Sequence, residues 1–459
     1  MASENKDALL ERLRNGAPMS GMQQLKLAML LALPAILAQV SSILMQYIDS
    51  AMVGRLGAGP AASVGLVSTS VWILTGFAMA VMTGFSVQVA HACGAKDWVR
   101  ARALVKKGLL TVLLFSSLLA VAGIALSGPL PRWLGGEQAI RSEASAYFLI
   151  VSAFLPIGST GYAAAAMLQA SGNMKVPSII YVCMGVLDVI FNYIFIFVLD
   201  MGVVGAAWGT GIAETLASLF ALWYVTARSE DLRLRGEKGS WLPDAVTLRT
   251  AFGITGPLWI QNIVMRGAHV MSTVIVAPLG AVSIAANSFA ITAESFCYMP
   301  GYGLEEAATT LVGQSIGAGR RDIARRFAWV TIGMAVVMMS VLAVVMYAFA
   351  PQIMRFLTND PEVVALGARV LRIEAFVEGF YAISIVGSGV CGGAGQTLVP
   401  TLLNFGSMWL VRIVLAFILT PVYGLTGYWI AMAVELTVRG IAFAIYVRSG
   451  HWMKKAIPV

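Results

Sequence analysis

Charge is scarce in this chain. Of 459 residues only 12% are Asp, Glu, Lys or Arg and 58% are hydrophobic, whereas a soluble domain carries about a quarter charged residues. With a mean hydropathy of +0.80, a water-soluble core of that size is implausible. Cysteine is sparse too: Cys93, Cys183, Cys297 and Cys391 are scattered, with no CxxC or other metal-ligand spacing, and read as small apolar packing residues. HExxH and Walker patterns are missing, which argues against an enzyme of those classes. Pro300-Gly301-Tyr302-Gly303 only superficially resembles a potassium filter. Nor does polarity alternate in ten-residue segments, as a membrane barrel requires.

What the chain has instead is long apolar runs. Twelve of about 20 residues, the length a helix needs to cross roughly 30 Å of hydrocarbon, fall near 26–52, 61–82, 104–127, 144–168, 176–199, 203–226, 251–277, 283–311, 327–349, 364–390, 399–420 and 425–447. The expected fold class is an all-α membrane protein of twelve transmembrane helices. A net charge of +8 points to membrane orientation rather than to nucleic acid, because Lys and Arg gather in particular loops. Lys6, Arg12, Arg14 and Lys26 precede the first run, and Lys96, Arg100, Arg102, Lys106 and Lys107 follow the second. Arg228, Arg233, Arg235, Lys238 and Arg249 follow the sixth, and Arg320, Arg321, Arg325 and Arg326 follow the eighth. Together with Arg448, Lys454 and Lys455 in the tail, these make one side basic, so both termini are expected to be cytoplasmic. The first 25 residues are polar and lead into a run too long for a signal h-region, so no cleaved signal is expected.

Self-similarity organises these runs. Displaced by 223 residues, Pro34 falls on Pro257, Leu56-Gly57-Ala58 on Leu279-Gly280-Ala281, Gly94-Ala95 on Gly317-Ala318, and Gly172 with Val176-Pro177 on Gly395 with Val399-Pro400. One offset holds without a gap over some 140 residues, and Gly and Pro at span ends mark turns and breaks. The chain therefore reads as two pseudo-symmetric six-helix lobes, 26–226 and 251–447, with an N-terminal segment 1–25, a basic linker 227–250 and a tail 448–459. An even number of spans brings both lobes into the membrane from the same side, the parallel-repeat plan of many secondary transporters. Sites in such proteins lie near mid-membrane, and rocking of the halves gives alternating access. A monomer is expected.

Several segments carry a resemblance: PAILAQVSSILMQYIDSAMVGRLG (Pro34–Gly57), GQSIGAG (Gly313–Gly319), SGNMKVP (Ser171–Pro177), AGQTLVP (Ala394–Pro400) and GVVGAAWGT (Gly202–Thr210). In this order and in both halves they resemble the multidrug and toxic compound extrusion (MATE) family, over nearly the whole chain. The segments around Arg266 and Glu294 resemble bacterial members, nearer the DinF-like branch. The resemblance implies export of small, often cationic organic molecules across a bacterial inner membrane, in exchange for inward protons or sodium ions and without other cofactors. A rival is a flippase for lipid-linked oligosaccharides, built on related folds of the same superfamily. It would want a wide, strongly basic central cavity, whereas the intramembrane acids here outnumber the bases.

Ionisable groups in hydrocarbon cost about 2.5–3.5 kcal/mol each on insertion scales, which makes those present functional candidates. Asp49 lies in the outer half of the first span, and its repeat counterpart is Ser272, so this carboxylate belongs to one lobe. It is either a cap on the outer turn or, as the resemblance implies, the acidic residue that binds the coupling cation. Asp188 and Asn192 share one face of the fifth span, where their counterparts are Val411 and Leu415. Related proteins carry an Asn and an Asp one turn apart there; in this chain the Asp comes first. Thr210 matches a position where the family contributes a hydroxyl. The four form either an oxygen-rich set for a hard cation or a proton with water, or a hydrogen-bonded brace.

In the second lobe Arg266 and His269 of span seven, Glu294 of span eight and Glu378 of span ten lie near mid-span. They read either as a buried ion pair, with Arg266 neutralising one carboxylate, or as a coupling or substrate site. Some relatives place carboxylates where this chain has Met265 and Tyr381, departures that argue against a site like theirs. Glu214 and Glu435, at similar depths in the last span of each half, read with Arg412 and Arg439 as fold-bracing pairs. Tyr47, Trp72, Tyr298 and Tyr381 are the candidate lining of a substrate cavity, since aromatic faces attract organic cations by about 0.5–2 kcal/mol.

Overall fold

A computed structural model describes residues 5–236 and 239–454; Lys238 and Lys455, named above, lie outside the described residues. Helices run in the order α1 (Lys6–Arg14), α2 (Gly21–Gly54), α3 (Ala58–Gly94), α4 (Trp98–Leu126), α5 (Leu130–Trp133), α6 (Gln138–Ala170), α7 (Lys175–Tyr193) and α8 (Gly202–Trp223). They continue as α9 (Ala245–Val276), α10 (Ala281–Gly317), α11 (Arg321–Leu357), α12 (Pro361–Ala375), α13 (Glu378–Gly393), α14 (Leu398–Phe405), α15 (Val414–Ser449) and α16 (His451–Lys454). π-helical segments Ile194–Val198 and Tyr224–Arg228 extend α7 and α8, and Gly406–Ile413 joins α14 to α15.

Nine of the described helices are long and apolar enough to cross a membrane, and three local features bring the reading to twelve. Helix α10 has full length but is less apolar, because it carries Glu294, Glu305 and Glu306. Helices α12 and α13 form a single span bent by 59°. Within α15, Gly424 adopts φ 58° and ψ −143° and divides the stretch into the two last spans.

The 223-residue repeat is written in the backbone. Helices α3 and α10 both have 37 residues and both follow a glycine of positive φ, Gly57 at 116° and Gly280 at 88°. Helices α4 and α11 begin, α6 and α13 end, and α7 and α14 begin at the same offset. Gly172 and Gly395, at φ 90° and 77°, turn the chain between the last two pairs, a conformation that side chains disfavour. The copies diverge where α6 runs unbroken and its counterpart is split into α12 and α13.

Packing gathers the chain into two compact units, one holding the residues up to Gln39 and from Ile260 onward, the other Val40–Trp259. Helices α2 and α9 thus each contribute to both. In the first unit the Gln39 amide donates to Glu306 Oε1 at 2.9 Å, and Gly303 lets α10 lie against the Ile36 backbone, where a Cβ would come within 2.6 Å. In the second, Thr255 donates to the Ala80 carbonyl and the Trp259 indole to that of Phe77, both at 3.0 Å. Each division follows a repeat-related proline, Pro34 or Pro257, which removes one backbone donor from its helix.

The N-terminal segment holds more order than its polarity suggests. In α1, Leu9, Leu10 and Leu13 are buried, and Arg14 Nε donates to Gln314 Oε1 at 3.1 Å. At the end of the linker, Lys107 pairs with Asp244 and holds its carboxyl well below the usual range. A lowered folded-state value means that the clasp is in force at neutral pH and fades only as pH falls below the ordinary aspartate value of about 4.

A charged brace lies inside the first unit. Arg412 Nη2 meets Glu435 Oε2 at 2.6 Å and Arg439 Nε meets Glu435 Oε1 at 3.0 Å, with Glu435 fully buried. Removing one member of such a pair strands the other in low dielectric, at about 3–5 kcal/mol. Glu435→Gln is therefore expected to lower the melting temperature of the purified protein sharply, whereas Asp244→Asn, at an exposed pair worth roughly 0–1 kcal/mol, leaves it nearly unchanged. Equal melting of the two variants would refute the brace.

Candidate functional site

The second unit assembles the four residues expected from sequence. Asp188 and Asn192 lie on one face of α7, each 1% exposed, directly before the helix loosens into its π-helical segment at Ile194. Positive φ at Asp200 (51°) and Gly202 (56°) turns the chain into α8, which carries Thr210. The Asn192 amide donates to Asp49 Oδ1 at 2.9 Å, to Asp188 Oδ2 at 3.2 Å and to Thr210 Oγ1 at 3.4 Å. An amide has two hydrogens, so three acceptors share them. Asp188 Oδ1 and Asn192 Oδ1 are buried without a hydrogen-bond partner. Two carboxylates, a carbonyl and a hydroxyl thus converge, and among the described residues neither Asp49 nor Asp188 is ion-paired to Lys or Arg. That is the donor set of a hard cation or of a shared proton.

Glycine makes the convergence possible. A Cβ on Gly209 would stand 2.1 Å from Asn192 Oδ1, and one on Gly205 would stand 2.6 Å from the Phe195 carbonyl. Helix α8 therefore approaches α7 along a glycine face. One turn beyond Thr210 lies Glu214, which accepts from the Tyr162 hydroxyl at 3.4 Å. The expectation that Glu214 belongs to an arginine brace is corrected: its partner is a tyrosine, because both bracing arginines belong to the other unit. Tyr147, in electrostatic reach of Asp49, Glu214 and Asp188, and Tyr162 escaped the sequence reading. Their spacing of fifteen residues, about four helical turns, puts them on one face of α6 and was the available signal.

The first unit holds a second set. Glu294 of α10, Glu374 at the end of α12 and Glu378 at the start of α13 bring carboxylate oxygens within 4.8 Å of one another. Glu374 and Glu378 are fully buried, and all four of their oxygens lack a hydrogen-bond partner. The 59° bend falls between them. Glu294 and Glu378 are thus brought together as candidates, and Glu374 was missed although its i, i+4 spacing to Glu378 was legible. Arg412 is the guanidinium whose charge bears on Glu294 and Glu374. Arg266, expected to neutralise one of these carboxylates, and His269 lie on α9, half-buried and exposed respectively.

Of the aromatic candidates, Tyr298 and Tyr381 meet with ring centroids 5.5 Å apart, and Tyr302 stands edge-on to Tyr298 at 6.0 Å. Arg439 lies over Tyr381, 5.4 Å from its centroid. Tyr47 and Trp72 belong to the other unit, on α2 and α3, half-buried and exposed respectively.

Comparison with known proteins agrees with this architecture. The family model MatE matches residues 34–194 and again 257–418, each half separately. The chain is 28% identical to the "Probable multidrug resistance protein NorM" of Thermotoga maritima, covering 93% of both chains. It is 27% identical to the "Multidrug resistance protein MdtK" of Yersinia enterocolitica, covering 93% of this chain and 94% of that one. Among solved structures, a mutant of the Vibrio cholerae MATE transporter VcmN superposes with a TM-score of 0.88 at 21% identity, covering 94% of this chain and 97% of the other.

If Gly209 is what lets α8 reach Asn192, Gly209→Ala forces the amide off its three acceptors. Overpacking of this kind costs about 1–3 kcal/mol, to be read as a lowered melting temperature, whereas Gly65→Ala, with open space around its Cβ position, is the matched control. A Gly209→Ala protein as stable as the Gly65→Ala protein would refute this packing.

Proposed function

The chain belongs to the MatE family, and on that premise we propose a secondary active transporter that exports small, often cationic organic compounds from a bacterial cell in antiport with protons or sodium ions. In this reading the lobes 26–226 and 251–447 alternate access as one monomer, with both termini cytoplasmic. The observation that carries it is the convergence of Asp49, Asp188, Asn192 and Thr210 without a guanidinium. A cation arriving there neutralises a half-buried to buried negative set and changes what that lobe costs to reorient; its departure on the cytoplasmic side resets it. Each inward charge is worth about 2.3 kcal/mol per 100 mV, enough for roughly a fifty-fold gradient of a neutral substrate at 1.4 kcal/mol per decade. Export of a monocation cancels that electrical gain and leaves the ion gradient as the drive. The flippase alternative would want a basic cavity, and both clusters described above are rich in carboxylate instead.

The Glu294, Glu374 and Glu378 set supports a second cation per cycle. Two inward charges raise the limiting gradient of a neutral substrate to roughly two thousand-fold at 100 mV. The aromatic group of Tyr298 and Tyr381 suits the organic substrate, and we assign Tyr47 and Trp72 the same role in their own unit.

Dye transport in inverted vesicles with imposed proton or sodium gradients tests this reading. Asp49→Asn is expected to abolish coupled transport at normal expression; undiminished dye transport by that variant would exclude the assigned role. Glu374→Gln is expected to leave transport running but to cut the limiting gradient toward the one-ion value. An unchanged limiting gradient removes the second ion from the scheme.

A further inference from the structure

The end of α11 farthest from the basic Arg320–Arg326 turn bears a feature that cation-coupled export does not use. A cavity of about 770 Å³ opens between the last turn of α11 and the face of α12, and three arginines line it, Arg355, Arg369 and Arg372. Helix chemistry accounts for one of them: Arg355 lies in the last turn of α11, where cations are favoured by the helix dipole. Arg369 and Arg372 are mid-helix and at the final turn of α12, spaced i and i+3 on one face. None of the three is ion-paired to a carboxylate among the described residues. Of the neighbouring acids in sequence, Asp360 is occupied as the cap of α12, accepting from the Glu362 and Val363 amides, and Glu374, two residues from Arg372, is fully buried in the carboxylate set and does not line the cavity. Arg372 is held in place, with its guanidinium 5.5 Å from the Tyr347 ring centroid and Nε donating to the Tyr347 carbonyl at 3.4 Å.

Below the arginines the outer surface of α11 is apolar and uncovered. Val337, Val341, Val344 and Phe349 are exposed along it, and Phe356, beside Arg355, is 91% exposed. In a membrane protein such a stripe faces acyl chains. A concave trio of unpaired guanidiniums at the head of a chain-facing stripe matches one amphiphile in both its parts. Planar guanidiniums bind phosphate oxygens bidentately, and the stripe takes the tails. The geometry points to a binding site for the phosphate headgroup of an anionic phospholipid at Arg355, Arg369 and Arg372, seated at the membrane interface opposite the basic turns. By orientation from the basic loops this is the outer leaflet, and no member of either carboxylate cluster lines the cavity.

Hydrogen–deuterium exchange of the full chain in nanodiscs tests this. Peptides covering residues 351–372 are expected to exchange several-fold more slowly in discs containing phosphatidylglycerol than in discs of phosphatidylcholine alone. The triple variant Arg355→Gln/Arg369→Gln/Arg372→Gln is expected to lose that difference while melting like the parent. A charge-matched control, Arg100→Gln/Arg321→Gln/Arg326→Gln, should keep it. Equal exchange of the parent in both discs, or a difference that survives in the triple variant, overturns the site. Inorganic phosphate added to phosphatidylcholine discs supplies the remaining arm: if it reproduces the full protection, the ligand is a free anion and the lipid assignment fails.

Discussion

A buried carboxylate without a guanidinium beside it is the constraint on which the rest of this structure depends. Taking an ionised carboxylate out of water costs several kcal/mol even after relaxation, so each one needs a positive partner, fixed or mobile. Glu435 has fixed partners in Arg412 and Arg439 and is thereby a structural group. Half-buried Asp49 and buried Asp188 share the two hydrogens of one amide with Thr210, and the buried oxygens of Glu374 and Glu378 lack a hydrogen-bond partner. The same chemical group is thus a brace where the partner is covalently part of the fold and a candidate site where it is not.

Duplication makes the contrast sharper. The two copies keep most of their helix boundaries at one offset, but differ at the bend between α12 and α13, which Glu374 and Glu378 flank. Asp49, Asp188 and Asn192 correspond to Ser272, Val411 and Leu415, while Glu294, Glu374 and Glu378 correspond to Val71, Val151 and Leu155. Where one copy is acidic the other is apolar or bears only a hydroxyl. The duplicated backbone supplies two similar frames, and each carries its own cluster on different helices.

How much of this was legible depended on whether the signal was local. The spans were read in number and order, with ends off by up to twelve residues where a helix runs on beyond the apolar stretch, as α3 does to Gly94, and the repeat was read to the residue because positive-φ glycines such as Gly57 and Gly280 recur wherever the turn recurs. The cluster on α7 was legible from an i, i+4 spacing, and Asp49 and Thr210 joined it through family resemblance. What was missed required partners from distant segments. The spacing of Glu374 to Glu378 was legible, but their meeting with Glu294 across the bend at Phe376 and Val377 was not. Glu214 looks like the mate of Glu435 until its neighbour proves to be Tyr162. Three leucines among charges were too short a run to announce α1, which earns its order by docking rather than by propensity.

The two clusters are also unlike as ligands, and the fixed charges grade them. The set on α2, α7 and α8 mixes two carboxylates with a carbonyl and a hydroxyl, so a positive ion there meets oxygen on several sides and no fixed cation. The set on α10, α12 and α13 offers carboxylates alone, and Arg412 bears on two of its three members. Coulomb attraction in a medium of low dielectric extends well past contact, so this guanidinium offsets part of the triad's charge without satisfying its hydrogen bonds. In the proposed exchange cycle three carboxylates so offset hold a mobile positive charge less tightly than their number suggests, which favours its release. By bracing Glu435, Arg412 stabilises the bundle, and the charge of the same guanidinium also acts on Glu294 and Glu374.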